Sequence, residues 1–499
     1  MLADIDSRLV LGRAAVTPVA ALMLPDGQIA RDELFARGHE RAAVLRQQGL
    51  RGGDLVICQV GGATPELSLM QTALALNAAA LLPVADQLES AQLRQIAAQV
   101  GADWWWQPGD DFNRPGAGGA AAGGCLIPAG GKSEPVPRRA WPESIGDSTG
   151  EAIGRKEPLA LVVQTSGSSG GRKAAMLSGA ALRASCERIN QRLGLGAEDL
   201  WLCALPRQHI GGLAIGYRCA LAGAGMLLHA RFDAARVAVD LWRHPVTHLS
   251  LVPAMLARLL EECQRPPDWL RVVLIGGQAL DTGLARRALA AGWPLHLGYG
   301  MTETCSFIAS RALNENGEQA LEFLPDVRVE APRCASGYAA APLRLTAPML
   351  MSGYANPERR PGHGLDDQGW LSTGDLACLS DAGCLCILGR ADDQLVIAGV
   401  NVQPGLIEEQ IRHQAGVSQC TLVGLPEPVW GQTLVALYQG TISVDALHHW
   451  CREHLPGPQR PRLLVPLEDW PLLASGKDDR ARLRLIAADA WRQHGCASA

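Results

Sequence analysis

The segment Leu159-Ala160-Leu161-Val162-Val163-Gln164-Thr165-Ser166-Gly167-Ser168-Ser169-Gly170-Gly171-Arg172-Lys173 decides how the chain is read. It opens as a short apolar run, the signature of a buried strand. From Gln164 onward it turns small and hydroxylated until the closing Arg172-Lys173 pair. Small residues such as Gly167 and Gly170 let a backbone fold closely around an anion and aim its N–H groups inward. The hydroxyls of Thr165, Ser166, Ser168 and Ser169 add donors, and Lys173 adds a point charge. A polar linker is the plain alternative, but an apolar strand runs directly into this loop. The spacing is not that of a Walker loop, which needs Gly before the lysine and Ser or Thr after it; here Arg172 and Ala174 flank Lys173. The reading is a phosphate-holding turn between a strand and a helix.

Working outward, Ser178 is expected to cap a helix running to Leu193. Short apolar strands follow at Trp201 to Leu205, His248 to Val252 and Val272 to Ile275, with helices near Ala254 to Glu262 and Leu280 to Ala291. Strands separated by helices imply a largely parallel sheet covered on both faces, with ligands at the carboxyl ends of its strands. Toward the N-terminus, Arg31 to Gln48 and Leu67 to Ala80 read as helices and Leu55 to Val60 as a strand. The apolar run Ala73 to Ala85 reads as a buried helix, too short to span a bilayer. Trp104-Trp105-Trp106 is expected to pack at a strand end. From Gln107 to Pro158 the Gly/Ala/Pro-rich composition marks a surface excursion. After Arg390 a smaller unit is expected, with helices Pro404 to Gln414 and Val444 to His454 and strands near Cys420 to Gly424 and Leu434 to Gln439. The fold class is therefore α/β: a large N-terminal domain, 1–391, with parallel-rich sheets and covering helices, and a small mobile α+β domain, 392–499.

The chain has 499 residues, more than one hydrophobic core usually supports, and a net charge of −5. Nothing basic points to nucleic acid or an anionic membrane. Asp4, Asp6 and Arg8 precede any apolar run, so no signal peptide is expected and the cytoplasm is the expected location. Fourteen cysteines are scattered. Only Cys384 and Cys386 are close, without the second pair a metal site needs, so free and mostly buried thiols are expected.

Four further motifs follow in order. Gly298-Tyr299-Gly300-Met301-Thr302-Glu303-Thr304 follows a strand; it offers a flat ring for a base, a hydroxyl, and in Glu303 a carboxylate for a hard cation. Gly369 to Asp375 sets an Asp on a glycine turn, able to accept from ribose hydroxyls. Gly389-Arg390-Ala391-Asp392-Asp393 continues through Ala398-Gly399 to Pro404 and Glu408. Ser475-Gly476-Lys477 lies near the end. Each alone is an ordinary turn or surface loop.

As an ordered set the five resemble the adenylate-forming superfamily of acyl-CoA synthetases, peptide-synthetase adenylation domains and luciferases. The likeness covers Leu159 to Arg482. Within it, Lys173-Ala174-Ala175, Leu205 to Leu213, Thr247 to Pro253 and Leu274 to Gly277 most resemble the o-succinylbenzoate–CoA ligase family. Arg172, where a proline is usual, and Gly405 depart from that pattern. The resemblance implies ATP, Mg²⁺ and coenzyme A as cofactors and a small carboxylic acid as substrate. It implies that Thr165 to Lys173 holds the β- and γ-phosphates, Thr302 the α-phosphate and Glu303 the Mg²⁺. Tyr299, with Gly276, Gly277 and Gln278, would border adenine; Asp375 and Arg390 would fix ribose. Lys477 would bridge carboxylate and α-phosphate. Asp392 would be the hinge about which the small domain turns, bringing Ala398 and Gly399 to line a pantetheine tunnel.

The acyl pocket is expected from His209, Gly211, Leu213, Ser250, Pro253, Gly276, Gly298, Met301 and Ser306, apolar and moderate in size, suiting an aromatic or short acyl group. A buried, satisfied core histidine is the equal alternative for His209. No Asp lies between Leu205 and Gly225 to hold an α-amine, which argues against an amino acid. Loading of a separate carrier protein, and a silent homologue acting as a binding protein, are the competing readings; an oligomer is left open.

Overall fold

The structure is a computed structural model. It describes residues 22–24, 27–107, 124–129, 158–165, 173–314, 320–333, 341–391, 395–397, 400–427, 431–472 and 478–497.

Three sheets build the large domain. The first has nine strands. Leu22–Leu24, Gly225–Leu228, Leu200–Cys203, His248–Leu251, Val272–Ile275 and Leu295–Met301 run parallel side by side, and Ser306–Ala312 and Glu322–Phe323 close one edge antiparallel. Its short central strands are buried throughout, as apolar runs between helix layers require. The second sheet has seven strands, with Leu159–Gln164 beside Ala80–Ala85 and Leu55–Val60 at its centre. The third is a four-stranded antiparallel sheet that includes Leu371–Leu379 and Leu385–Arg390. A smaller C-terminal domain pairs Val417–Glu427 with Gly431–Gly440 and adds Leu463–Pro466 in parallel. Helices Pro404–Arg412 and Val444–His454 pack on it over a separate core that includes Ile407, Ile411, Tyr438 and Leu447.

Ser178 caps the Gly179–Leu193 helix as expected, its hydroxyl accepting from Ala181 N at 3.1 Å. Three expectations change. The loop after Gln164 leads into a strand, Ala174–Ser178, that folds back on Leu159–Gln164, and not into a helix. Ala174 to Leu177 are all buried in the sheet, and only then does the helix begin. The apolar run Ala73 to Ala85 is not one helix. The helix stops at Leu76, Asn77 donates its amide to Ala42 O and Ala73 O, Ala78 takes a left-handed φ of 51°, and Ala80–Ala85 is a strand. Periodicity cannot separate a buried strand from a buried helix in such a run. Within the Gly/Pro-rich stretch, Cys125–Pro128 pairs antiparallel with Trp104–Gln107, so part of the excursion is an edge strand. The tryptophans pack: the Trp104 indole donates to Asp54 and the Trp106 indole to Glu66.

Among the described residues no helix is long and apolar enough to cross a membrane, and no group of three His, Cys, Asp or Glu could hold a metal. Most described cysteines are free. Cys378 corrects the expectation of free thiols, because it is disulfide-bonded.

Candidate nucleotide and acyl-acid site

The first sheet ends its parallel run on Leu295–Met301, which carries Gly298, Tyr299 and Gly300 in the strand itself and Thr302–Thr304 in the 3-10 turn beyond. The motif is thus the strand's own end. Tyr299 reaches across to the third sheet, where its hydroxyl donates to Asp375 Oδ2 at 2.6 Å. Asp375 lies within the strand Leu371–Leu379 and not on a glycine turn. Arg390, its cross-strand partner, donates Nη1 to Asp375 Oδ1 at 3.1 Å. Burial and the adjoining carboxylate push the Tyr299 phenol well above its usual range, so it stays a proton donor. Three residues that the sequence scatters over 91 positions, 299 to 390, meet at one carboxylate.

A second constellation gathers around Glu303. The Tyr354 hydroxyl donates to Glu303 Oε1 at 2.7 Å, and Met351 N donates to the Glu303 carbonyl at 2.7 Å. Lys173 Nζ lies 4.9 Å from the centre of the Tyr354 ring. Tyr354 pairs with Ala175 on the strand that Lys173 leads into, which makes Lys173 its diagonal neighbour. Thr165 N and Lys173 O close the mouth of the loop with a 2.8 Å hydrogen bond, so the loop's two ends are pinned together. Tyr354 was absent from the sequence reading; a Gly-Tyr pair on a short edge strand carries no signal of its own.

Gly300 has a structural reason beyond any ligand. A Cβ there would sit 2.0 Å from Ser306 O and 2.3 Å from Phe307 Cα, at the bulge where Leu295–Met301 pairs with Ser306–Ala312. The turn between those strands is held in unfavourable backbone: Cys305 at φ 54° and Ser306 at φ 127°. The Thr304 hydroxyl clamps it, accepting from Met301 N at 3.1 Å and donating to Ser306 O at 2.6 Å. Gly300→Ala is expected to cost about 3 kcal/mol of stability, since only backbone can move aside. Chemical denaturation of the two proteins checks this.

Gly276 and Gly277 follow the strand Val272–Ile275. Gly277 takes φ +83°, and a Cβ on Gly276 would touch Gly298 O at 3.4 Å, so these glycines form a shelf beside the Tyr299 strand with Gln278 following. His209 is exposed at the N-cap of the helix Ile210–Ala222, which rejects the core-histidine alternative. Gly211 and Pro253 are half-buried at the first turns of their helices, and Met301 and Ser306 are half-buried beside Thr302. Leu213 and Ser250 are each 2% exposed. Leu213 packs in the main core, and Ser250 accepts from the buried Trp201 indole at 3.1 Å, so both lie behind the site's surface.

Arg218 was also missed by the sequence reading. It is 1% exposed, and among the described residues its Nε and Nη2 have no hydrogen-bond partner. Its guanidinium lies 5.5 Å from the ring centres of Trp201 and of Phe307, the residue after Ser306. Burial pushes its pKa down to about 10. An uncompensated cation inside a protein is costly. This one borders Ser250 through Trp201, and Ser306 and Gly298 through Phe307.

Ser166, Gly167, Ser168, Ser169, Gly170, Asp392, Ala398, Gly399 and Lys477 lie outside the described residues. What is described suits Mg²⁺ held with a triphosphate: one carboxylate, Glu303, beside one cation, Lys173. Mg²⁺ keeps few protein ligands and takes the rest from phosphate and water.

The description "AMP-binding enzyme" matches residues 13–331, and "AMP-binding enzyme C-terminal domain" matches 406–477. The 2-succinylbenzoate–CoA ligase of Bacillus subtilis strain 168 is 30% identical over 342 residues, covering 67% of this chain and 70% of that protein. The structure of o-succinylbenzoate coenzyme A synthetase from Bacillus subtilis in complex with ATP and magnesium ion superposes with a TM-score of 0.77 at 26% identity, over 96% of this chain and 99% of that one. ATP-bound MatB from Rhodopseudomonas palustris superposes at 0.81 with 23% identity, over 98% and 100%, a likeness of fold.

Proposed function

This chain belongs to the AMP-binding enzyme family, and on that premise we propose that it converts an aromatic dicarboxylic acid of the o-succinylbenzoate kind to its CoA thioester through an acyl-adenylate. It is an ATP-dependent acid–thiol ligase.

A carboxylate is a poor electrophile, so it is first activated. Its oxygen attacks the α-phosphorus of ATP, the α–β bridging P–O bond breaks, and pyrophosphate leaves with that bond's electron pair. Such chemistry depends on alignment and charge neutralisation. Asp375, its carboxylate held between Tyr299 and Arg390, accepts from the ribose hydroxyls, and Tyr299 with the Gly276-Gly277-Gln278 shelf borders the base. Lys173 and the loop it closes hold the outer phosphates, and Thr302 holds the α-phosphate. Glu303 would hold Mg²⁺, which would supply neutralising charge to the phosphates. Lys477 steadies the charge that grows between carboxylate and α-phosphate. The sulfur of CoA, as its thiolate after giving its proton to solvent, then attacks the acyl carbon; the acyl C–O bond to the phosphate breaks, and AMP leaves with that bond's electron pair. His209, at the exposed start of its helix, faces that step. We place the hinge between domains 1–391 and 392–499 at Asp392, the pantetheine tunnel at Ala398 and Gly399, and the enzyme in the cytoplasm.

The observation that carries the substrate class is Arg218: a buried guanidinium with open donors, behind residues expected to enclose the acyl group, calls for an anion that the described residues do not supply. A second carboxylate on the acid satisfies it. The test is pyrophosphate release over a panel of o-succinylbenzoate, benzoate, a medium-chain fatty acid and an amino acid, with CoA or a carrier protein as acceptor. Release should be strongest with o-succinylbenzoate, and the thioester should form on CoA. Equal turnover of benzoate overturns the dicarboxylate, and thioester on the carrier protein alone overturns CoA.

A further inference from the structure

We infer that Tyr354 is a positioning residue that sets the Mg²⁺-binding carboxylate and the phosphate-binding lysine in one geometry; the inference rests on the ligase reading above. Three observations carry it. The phenol hydroxyl engages one oxygen of Glu303, Oε1, at 2.7 Å, and among the described residues Oε2 has no hydrogen bond. The same ring underlies Lys173 Nζ at 4.9 Å. The ring itself is fixed from behind: a Cβ on Gly364 would lie 2.4 Å from Tyr354 Cδ2, and Tyr354 N donates to His363 O at 2.7 Å.

The physical consequence is a division of labour within one carboxylate. A carboxylate free at both oxygens rotates and offers a cation either edge. With Oε1 engaged by a neutral donor, Oε2 alone faces outward, and the charge stays on Glu303 because a phenol does not neutralise it. The ring face meanwhile holds the lysine without a counter-charge, so its ammonium remains available to phosphate. Tyr354 thereby couples two groups far apart in sequence, through one side chain that touches neither nucleotide nor metal. Partners of this kind, one step behind a metal ligand, are worth about 10- to 100-fold in metal affinity.

The experiment measures ATP binding by calorimetry on the whole enzyme without acid or CoA, across a Mg²⁺ titration and again in EDTA. Tyr354→Phe keeps the ring and removes the hydroxyl. Its Mg²⁺ requirement for ATP binding should rise about 10- to 100-fold, with ATP binding in EDTA and the melting temperature unchanged. Tyr354→Leu removes the ring as well and should weaken ATP in EDTA too. Wild-type Mg²⁺ dependence in Tyr354→Phe overturns the inference, as does an equal loss with and without Mg²⁺, which marks a packing role alone. A wild-type enzyme that binds no ATP removes the ligase reading, and the inference with it.

Discussion

Arg218→Leu should lower kcat/KM for o-succinylbenzoate about a thousandfold while leaving the melting temperature unchanged or raising it. The two effects have opposite signs because the buried guanidinium makes no ion pair among the described residues. Its Nε and Nη2 are desolvated without return in the ligand-free enzyme, so a leucine of similar volume in the core is neutral or stabilising, by up to about 2 kcal/mol. With a dicarboxylate bound, the same guanidinium is one half of a desolvated charge pair. Removing it strands the other half, at a cost of about 4 kcal/mol, roughly a thousandfold. A monocarboxylate analogue, which never makes the pair, should lose less than about threefold. Steady-state kinetics on both acids with a thermal melt decides it. Equal loss on the two acids, or a fall in melting temperature that tracks the activity, refutes the role.

Lys477→Ala should slow adenylate formation by about a hundred- to a thousandfold, the scale expected when one preorganised donor to a growing charge is lost. Transfer to CoA from a supplied acyl-adenylate should remain near the wild-type rate, because the proposed turn of the small domain about Asp392 takes Lys477 out of the site before that step. Pyrophosphate release and thioester formation are followed separately. An equal drop in both half-reactions would sink the assignment.

Much of the scaffold could be read in the chain itself. The helix Val444–His454 and the strands Leu55–Val60 and Val272–Ile275 are found where apolar spacing and caps put them. Asp375, Arg390 and Tyr299 could be named because their glycine-marked motifs, taken in order, resemble those of the adenylate-forming superfamily. Two kinds of feature escaped. Where an apolar run is continuous, as from Ala73 to Ala85, pattern gives no period to read, and the break depended on Asn77 amide contacts with Ala42, a residue of another helix. The second kind is partnership over distance. Tyr354 meets Glu303 across 51 positions, and Arg218 is unusual only because no acid among the described residues reaches it; neither fact has a local correlate. The Cys378 disulfide escaped as well, since cysteine spacing alone does not fix a pairing.

The residues that would surround ATP come from three separate sheets. Tyr354 and the strand that Lys173 leads into belong to the second, Tyr299 and the turn bearing Glu303 to the first, Asp375 and Arg390 to the third. A nucleotide seated there is a rivet through the seam of the large domain. At a hundredfold excess over its dissociation constant it would add about 2.7 kcal/mol to the folded state. Protease resistance of the large domain should accordingly follow the energy charge around it, with the starved protein the one most easily cut.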